Sequence, residues 1–276
     1  MKVFRIRGIL FFLILSLAMA VSSGYAADQF KQIIVATGSP FELGLVDTLA
    51  KAFQQETGCT VRCIKTPTGP GLELGRNGLA HVTMGHNREA TARFFKDGYA
   101  AKRSDLMYNL TVIVGPLNDP AGIGGMKDLK QAHKKIFEAK ARYLSRGDMG
   151  GMNIIEKKFW KELALNPEGQ PWYEVSNKFM LDSLMDAAIK GQYHMLDSST
   201  WALHKAKVKN LKVLVEGPKN EYEMCLVNPE KNPNLRYNQE YAQRFYDFCL
   251  SEKGQRIIAT FGTKEYGEPV YFIFKK

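Results

Sequence analysis

The sequence lacks the patterns that mark metal centres and most hydrolytic active sites. It contains four cysteines and five histidines, and none of them form a CxxC, HxxxH or HExxH spacing. A Ser-His-Asp set, a paired-carboxylate motif and a phosphate-binding P-loop are absent as well. The sequence therefore predicts no metal site, no cofactor and no enzymatic turnover.

Clustered basic residues and long apolar runs are also scarce. Lysine and arginine outnumber aspartate and glutamate by 38 to 28, but they are scattered along the chain. Scattered charge argues against nucleic acid as a partner and fits a solvated surface or a small anionic ligand. One apolar run, "ILFFLILSLAMAV", follows the basic start "MKVFRIRG" and precedes small residues. It is shorter than the ~20 residues that span a bilayer. Residues 1–26 are therefore predicted to be a secretory signal peptide, cleaved near Ala26 on export to the periplasm.

The four cysteines would enter an oxidising compartment after export. Cys225 and Cys249 lie in apolar patterns and are predicted to be small buried core residues. Cys59 and Cys63 can form a disulfide only if Cys59 lies in the turn before a strand, because an extended i,i+4 pair is too far apart. That pairing is left open.

Strand and helix patterns alternate along almost all of the remaining 250 residues. A buried strand "QIIVA" is followed by a predicted helix from Pro40 to about Glu56, and similar cycles continue to a final short strand "YFIF". This alternation predicts a doubly wound α/β fold with ligands at the carboxyl ends of strands. Two cycles predict two lobes around a central cleft, residues 27–115 with 218–276 and residues 116–217, hinged at the crossings.

Two strand ends in the first predicted lobe offer groups that can bind an anion. In "ATGSPFELG", Thr37, Gly38 and Ser39 place hydroxyls and amides at the start of a helix. Ser39 and Glu42 also have the spacing of a capping box, which needs no ligand. In "TPTGPGLELGRNG", Thr68 and Gly69 precede a helix in the same way, although the prolines there also fit a simple turn.

The second predicted lobe has two such strand ends. In "SRGDMGGMN", Ser145 ends a strand, and Arg146 can offer a planar fork to an oxyanion. Met149 stands where a hydroxyl would normally complete an anion site. In "LDSST", Asp197 and Ser198 end another strand, where Asp197 can equally be a plain helix cap.

Several longer blocks of the sequence resemble one known family. They run through nearly all of residues 31–276 and include "LELGRNG" at 72–78, "DGYAAKRSDLMYN" at 97–109, "VIVGPLNDPAGI" at 112–123, "SRGD" at 145–148, "VNPEKNP" at 227–233 and "KGQRIIATFG" at 253–262. With these blocks the chain resembles the substrate-binding proteins of tungstate ABC importers, which are type II periplasmic binding proteins.

The resemblance implies that a tetrahedral oxyanion, tungstate or molybdate, is held between two lobes and delivered to an ABC permease by a monomeric protein. Site residues carried over from the family are Thr37, Ser39, Thr68, Gly69, Ser145 and Arg146. The chain departs from the family pattern within the same loops. Gly38 and Pro40 interrupt a run of threonine and serine, residues 149–152 read Met-Gly-Gly-Met in place of a Ser-Gly-Thr pattern, and Ser198 stands near a usual arginine.

Two alternatives keep the fold and change the role. Met149, Met152, His86, Glu42 and Asp148 could suit an organic anion, a zwitterion or a soft metal, of which an organic ligand fits methionine better than copper does. The protein could also be the sensory binding subunit of a signalling receptor.

Overall fold

The computed structural model describes residues 31–235 and 237–275, so the predicted signal peptide lies outside the described residues. Within these ranges the fold is α/β, as the alternating patterns predicted, and eight strands join in one sheet. In chain order the strands are β1 (Gln32–Thr37), β2 (Thr60–Lys65), β3 (Val82–Gly85), β4 (Ala100–Pro116), β5 (Tyr143–Ser145), β6 (Tyr173–Val175), β7 (Tyr193–Asp197) and β8 (Leu211–Val227). Their spatial order is β2-β1-β3-β8-β4-β7-β5-β6.

Helices connect most of the strands. In the described ranges they are α1 (Ser39–Glu42), α2 (Leu45–Thr57), α3 (Thr68–Arg76), α4 (Arg88–Lys96), α5 (Leu129–Glu138), α6 (Gly151–Glu162), α7 (Met180–Lys190), α8 (Ser198–His204), α9 (Gln239–Leu250), α10 (Glu252–Thr260) and α11 (Thr263–Tyr266). Short 3-10 turns occur at Lys205–Lys207 and Pro233–Leu235.

Two long antiparallel strands, β4 and β8, link the two halves of the sheet. Each has 17 residues. Gly217 and Pro218 interrupt the apolar run within β8. The strand continues through them, and the register between β4 and β8 shifts opposite these residues, between Leu110 and Val112. A bulge of this kind accommodates a proline, which cannot donate to the ladder.

The apolar side chains form two main cores, one on each side of this crossing. One core draws on residues 33–107 and 222–271, and the other draws on residues 112–215. Two cores joined by two long strands make a two-lobed molecule. The division at 115/116 and 217/218 stays a prediction.

The predicted helix from Pro40 to Glu56 is divided in two. Leu43 and Gly44 separate α1 from α2, and Gly44 has a φ of +87°, a conformation that suits glycine. The predicted capping box is wrong as well. Ser39 is the first helical residue after the N-cap Gly38, and no side-chain cap bond is formed within the described part of the chain. Glu42 instead pairs with Lys65, with Oε1 and Nζ 2.9 Å apart.

All four cysteines lie in the described residues and carry free thiols. Cys59, Cys225 and Cys249 are buried, and burial raises the pKa of Cys63 to about 12 and of Cys225 to about 12. Residues 31–235 and 237–275 include no helix with the length and apolar character needed to cross a membrane. The same residues contain no group of three or more metal-ligating side chains.

We predict that Gly115→Ala destabilises the fold. A methyl group on Gly115 in β4 would lie 2.5 Å from the ring of Tyr193 and 2.7 Å from Leu214. Overpacking of a tight interior typically costs about 1–3 kcal/mol, measurable as a lower urea midpoint. The control is Gly69→Ala, because a methyl group there meets nothing within 4 Å. Equal stability of the two variants would contradict this packing.

Candidate anion-binding cavity between the lobes

A small cavity lies between the two lobes. It offers about 20 Å³ of space for the centre of a water molecule, which is enough for one water or one compact ion. The lining residues are Gly38, Ser39, Thr66, Pro67, Thr68, Met84, Gly85, His86, Arg146, Gly150, Gly151, Phe179 and Tyr222. Residues from both lobes therefore meet at this cavity.

Arg146 is the charged group that lines the cavity. Only 4% of the residue is exposed, and its guanidinium pairs with Asp148, contacts Met180 Sδ at 3.6 Å and lies 5.3 Å from the centre of the Phe179 ring. Its Nε is buried without a hydrogen-bond partner among the described residues. A buried N–H without a protein partner is available to donate to an acceptor in the cavity.

His86 crosses the cavity from the end of β3 to the start of α6. A methyl group on Gly151 would lie 2.6 Å from His86 Nδ1, so glycine is required there for the imidazole to approach. The ring also packs on Tyr222, with centroids 4.9 Å apart. Its Nδ1 is buried and has no partner within the described chain. Burial lowers the pKa of His86 to about 4, so the ring is neutral at physiological pH.

Phe179 covers the cavity from the second lobe. A methyl group on Gly38 would lie 3.4 Å from the Phe179 ring, which places the ring against the first strand end. Lys65 Nζ lies 4.5 Å from the centre of the same ring. Lys65 and Arg146 therefore both make cation–π contacts with Phe179. These contacts, like that of His86, join the two lobes across the cavity.

Two helices of ordinary length begin at the cavity, α3 after Pro67 and α6 after Gly150. Neither N-terminus has a side-chain cap within the described residues. By contrast, Asn87 caps α4 and Asp128 caps α5. Uncapped helix starts present free N–H groups and a positive dipole end, which favour an anion.

A buried carboxylate holds the Arg146 loop in place. Glu156 is 2% exposed and accepts from Ser145 Oγ at 2.8 Å, Trp160 Nε1 at 3.0 Å and Tyr173 OH at 2.7 Å. Burial raises the pKa of Glu156, while these donors act against that rise. The loop is therefore anchored to α6 through Ser145.

The structure brings four of the predicted site residues to the cavity: Gly38, Ser39, Thr68 and Arg146. The others lie beside it or away from it. Thr37 is buried behind the lining with its hydroxyl unpartnered among the described residues. Ser145 binds Glu156, and Gly69 is exposed.

Met149, Asp197 and Ser198 also lie outside the lining. Met149 is 73% exposed, with a φ of +58° that turns the loop outward. Asp197 is the N-cap of α8, accepting from the amide of Thr200 at 2.8 Å. Ser198 Oγ accepts from the amide of Leu110 at 3.0 Å. Met152, considered for a soft ligand, is 1% exposed and packs in the core of the second lobe.

Sequence reasoning did not select several residues that line the cavity. Met84 and Gly85 end β3 and His86 follows it, but sequence reasoning considered His86 only for the alternative ligands. Phe179 and Tyr222 carry no local signal, because they reach the cavity through tertiary packing alone.

The two-lobed α/β fold and a small site between the lobes at the strand ends define a type II periplasmic binding protein. A family model described as the PBP superfamily domain matches residues 23–253. The tungstate-binding protein TupA of Peptoclostridium acidaminophilum is 35% identical over 244 residues, covering 87% of this chain and 84% of that protein. A putative ABC transporter anion-binding protein of Haloferax volcanii is 35% identical over 236 residues, covering 83% and 68%.

A solved structure gives the same result. The tungstate-binding protein TupA of Desulfovibrio alaskensis matches with a TM-score of 0.75 and 33% identity, covering 89% of this chain and 99% of that one. The chain belongs to the PBP superfamily, in the family of the TupA tungstate-binding proteins. The resemblance drawn from the sequence blocks is confirmed.

We predict that Glu156→Gln destabilises the protein by about 1–3 kcal/mol, because an amide NH₂ would face buried donors and leave polar groups unpaired. Denaturant unfolding measures the change. Glu162→Gln on the same helix is the control, since Glu162 forms partly exposed ion pairs with Lys130 and Lys158 that contribute little. A Glu156 variant as stable as the Glu162 variant would contradict the anchoring role.

Proposed function

We propose that the protein is an extracytoplasmic solute-binding protein that captures a tetrahedral oxyanion, tungstate or molybdate, for an ABC importer. The observation that carries the proposal is the buried guanidinium of Arg146: the residue lines a cavity with room for one compact ion, and its Nε has no hydrogen-bond partner among the described residues. Two uncapped helix starts face the same space. Relatives of the protein are tungstate- or anion-binding proteins, which supports an oxyanion as the ligand.

The cavity size favours a tetrahedral ion over larger ligands. A space of about 20 Å³ for a water-sized centre suits a compact ion better than the carbon chain of an amino acid or organic anion. The two methionines considered as soft-metal ligands do not line the cavity, since Met149 is exposed and Met152 is in the core. A soft metal is therefore disfavoured. Neutral donors for the oxyanion would come from Ser39, Thr68 and the amide of Gly151, while the amide of Gly150 donates to Asp148.

The lobes would close on the ligand by a hinge at the crossing of β4 and β8. The contacts of Phe179 with Gly38 and of His86 with Gly151 would form on closure and exclude water from the ion. A permease in the membrane would then read the closed, loaded form. We further propose that the mature protein acts as a monomer in the periplasm and catalyses no reaction.

A ligand screen tests the proposal first. Tungstate and molybdate should raise the melting temperature of the purified mature protein, because a ligand that binds only the folded state stabilises it. Amino acids and Cu(I) should leave the melting temperature unchanged. A shift with an amino acid and none with either oxyanion would overturn the assignment.

Arg146→Ala should weaken tungstate binding by about tenfold to a hundredfold. This loss corresponds to one charge-assisted hydrogen bond of ~1.5–3 kcal/mol. Isothermal titration calorimetry measures the affinity. Arg142→Ala is the matched control, because Arg142 is exposed and lies one residue before β5. Undiminished affinity in the Arg146 variant would remove this residue from the site.

A further inference from the structure

His86 has a nitrogen that nothing in the described protein engages. The residue lines the cavity, and its buried Nδ1 has no hydrogen-bond partner among the described residues. The close approach of the ring to Gly151 fixes its position at the start of α6. An occupant of the cavity therefore meets the imidazole beside the helix N-terminus.

A buried chain of hydrogen bonds determines which nitrogen of His86 carries the proton. The chain starts at the Asp197 carboxylate, which accepts from Ser199 Oγ. Ser199 Oγ accepts from Asn109 Nδ2 at 2.8 Å, and Asn109 Oδ1 accepts from Asn220 Nδ2 at 2.7 Å. Asn220 therefore has its carbonyl oxygen left as an acceptor for His86, and this interaction raises the pKa of the ring. Since Nδ1 has no partner among the described residues, we assign the interaction to Nε2–H and the lone pair of the neutral ring to Nδ1.

This arrangement gives the neutral ring a lone pair at Nδ1. A lone pair repels the oxygen of a bare anion, whereas a protonated Nδ1 donates a charge-assisted hydrogen bond to it. The four side chains of the chain beyond His86 are at most 4% exposed. The donor–acceptor direction of these hydrogen bonds cannot easily reverse, because the Asp197 carboxylate at the far end only accepts.

We propose that His86 contacts the bound anion through Nδ1 and takes up a proton when a doubly charged oxyanion enters the cavity. This inference rests on the proposed function, since it concerns the same cavity and ligand class. It makes His86 a residue that favours divalent over monovalent oxyanions.

The charges around the ring agree with this role. Asp197 and Asp148 favour the protonated ring, and Arg146 opposes it. Burial is the largest effect and lowers the pKa of His86 to about 4. The charge of Arg146 is offset by Asp148, so a neutral His86 leaves the lining without excess positive charge. A dianion beside the ring raises its pKa, and the captured proton balances part of the ligand charge.

The sign of the pH effect follows from this linkage. Above about pH 5 the free protein holds His86 neutral, and the complex holds it charged up to the higher pKa of the bound state. Binding therefore takes up a proton in that interval, and affinity rises as the pH falls, by at most about tenfold per pH unit.

Calorimetry of the mature protein with sodium tungstate tests this between about pH 6 and about pH 8.5. At each pH, two buffers of different ionisation enthalpy are compared. We expect tighter binding at lower pH and heats that differ between the buffers in proportion to proton uptake. Perrhenate, a singly charged tetrahedral oxyanion, should bind more weakly and with less proton uptake. Tungstate binding with no dependence on pH or buffer would overturn the inference and leave the proposed function intact.

Variants separate His86 from other titrating groups. His86→Gln should still bind tungstate with reduced affinity and lose the pH dependence. His204→Gln is the control, because burial also lowers the pKa of His204 but the residue lies on α8 outside the lining; it should keep the pH dependence. A His86 variant that retains the full dependence would overturn the inference. If His86→Gln does not fold, the two-buffer comparison on the unaltered protein decides alone. No heat with either tungstate or molybdate at any pH would instead overturn the proposed function.

Discussion

One buried cation organises the space between the lobes. Removing the guanidinium of Arg146 from water costs several kcal/mol unless charge and hydrogen bonds compensate. Asp148 supplies the charge and Phe179 supplies an aromatic face, yet Nε remains without a partner among the described residues. The site is thus built for one more acceptor. The loop that carries Arg146 is anchored to Glu156 through Ser145. The guanidinium is therefore positioned before a ligand binds.

The same site joins the two halves of the fold. Strands β4 and β8 carry the chain between two separate cores, and the cavity lies where loops from both sides meet. His86 touches Gly151, and Phe179 touches Gly38, in both cases because a glycine leaves room for a ring. Contacts of this type exist only when the lobes are together. Under the proposed hinge motion, closure of the lobes and enclosure of the ligand would be the same event.

The sequence predicted the α/β class and the place of Arg146 at a strand end, because both depend on local patterns. Apolar runs bounded by glycine and proline locate the strand ends, and Arg146 directly follows the strand that ends at Ser145. Side-chain direction was harder to predict. Met149 turns outward because its backbone has a positive φ, and Ser145 turns inward to Glu156. Phe179 and Tyr222 come from distant positions, and no local pattern indicates that they meet.

The central claim is that one oxyanion sits between Arg146 and His86. The most direct measurement is a crystal structure of the mature protein grown with tungstate, with the metal located by its anomalous scattering. The account predicts a single tungsten peak inside the cavity, with ligand oxygens within hydrogen-bond distance of Arg146 Nε and His86 Nδ1. A peak at any other position, with this cavity empty, would contradict it.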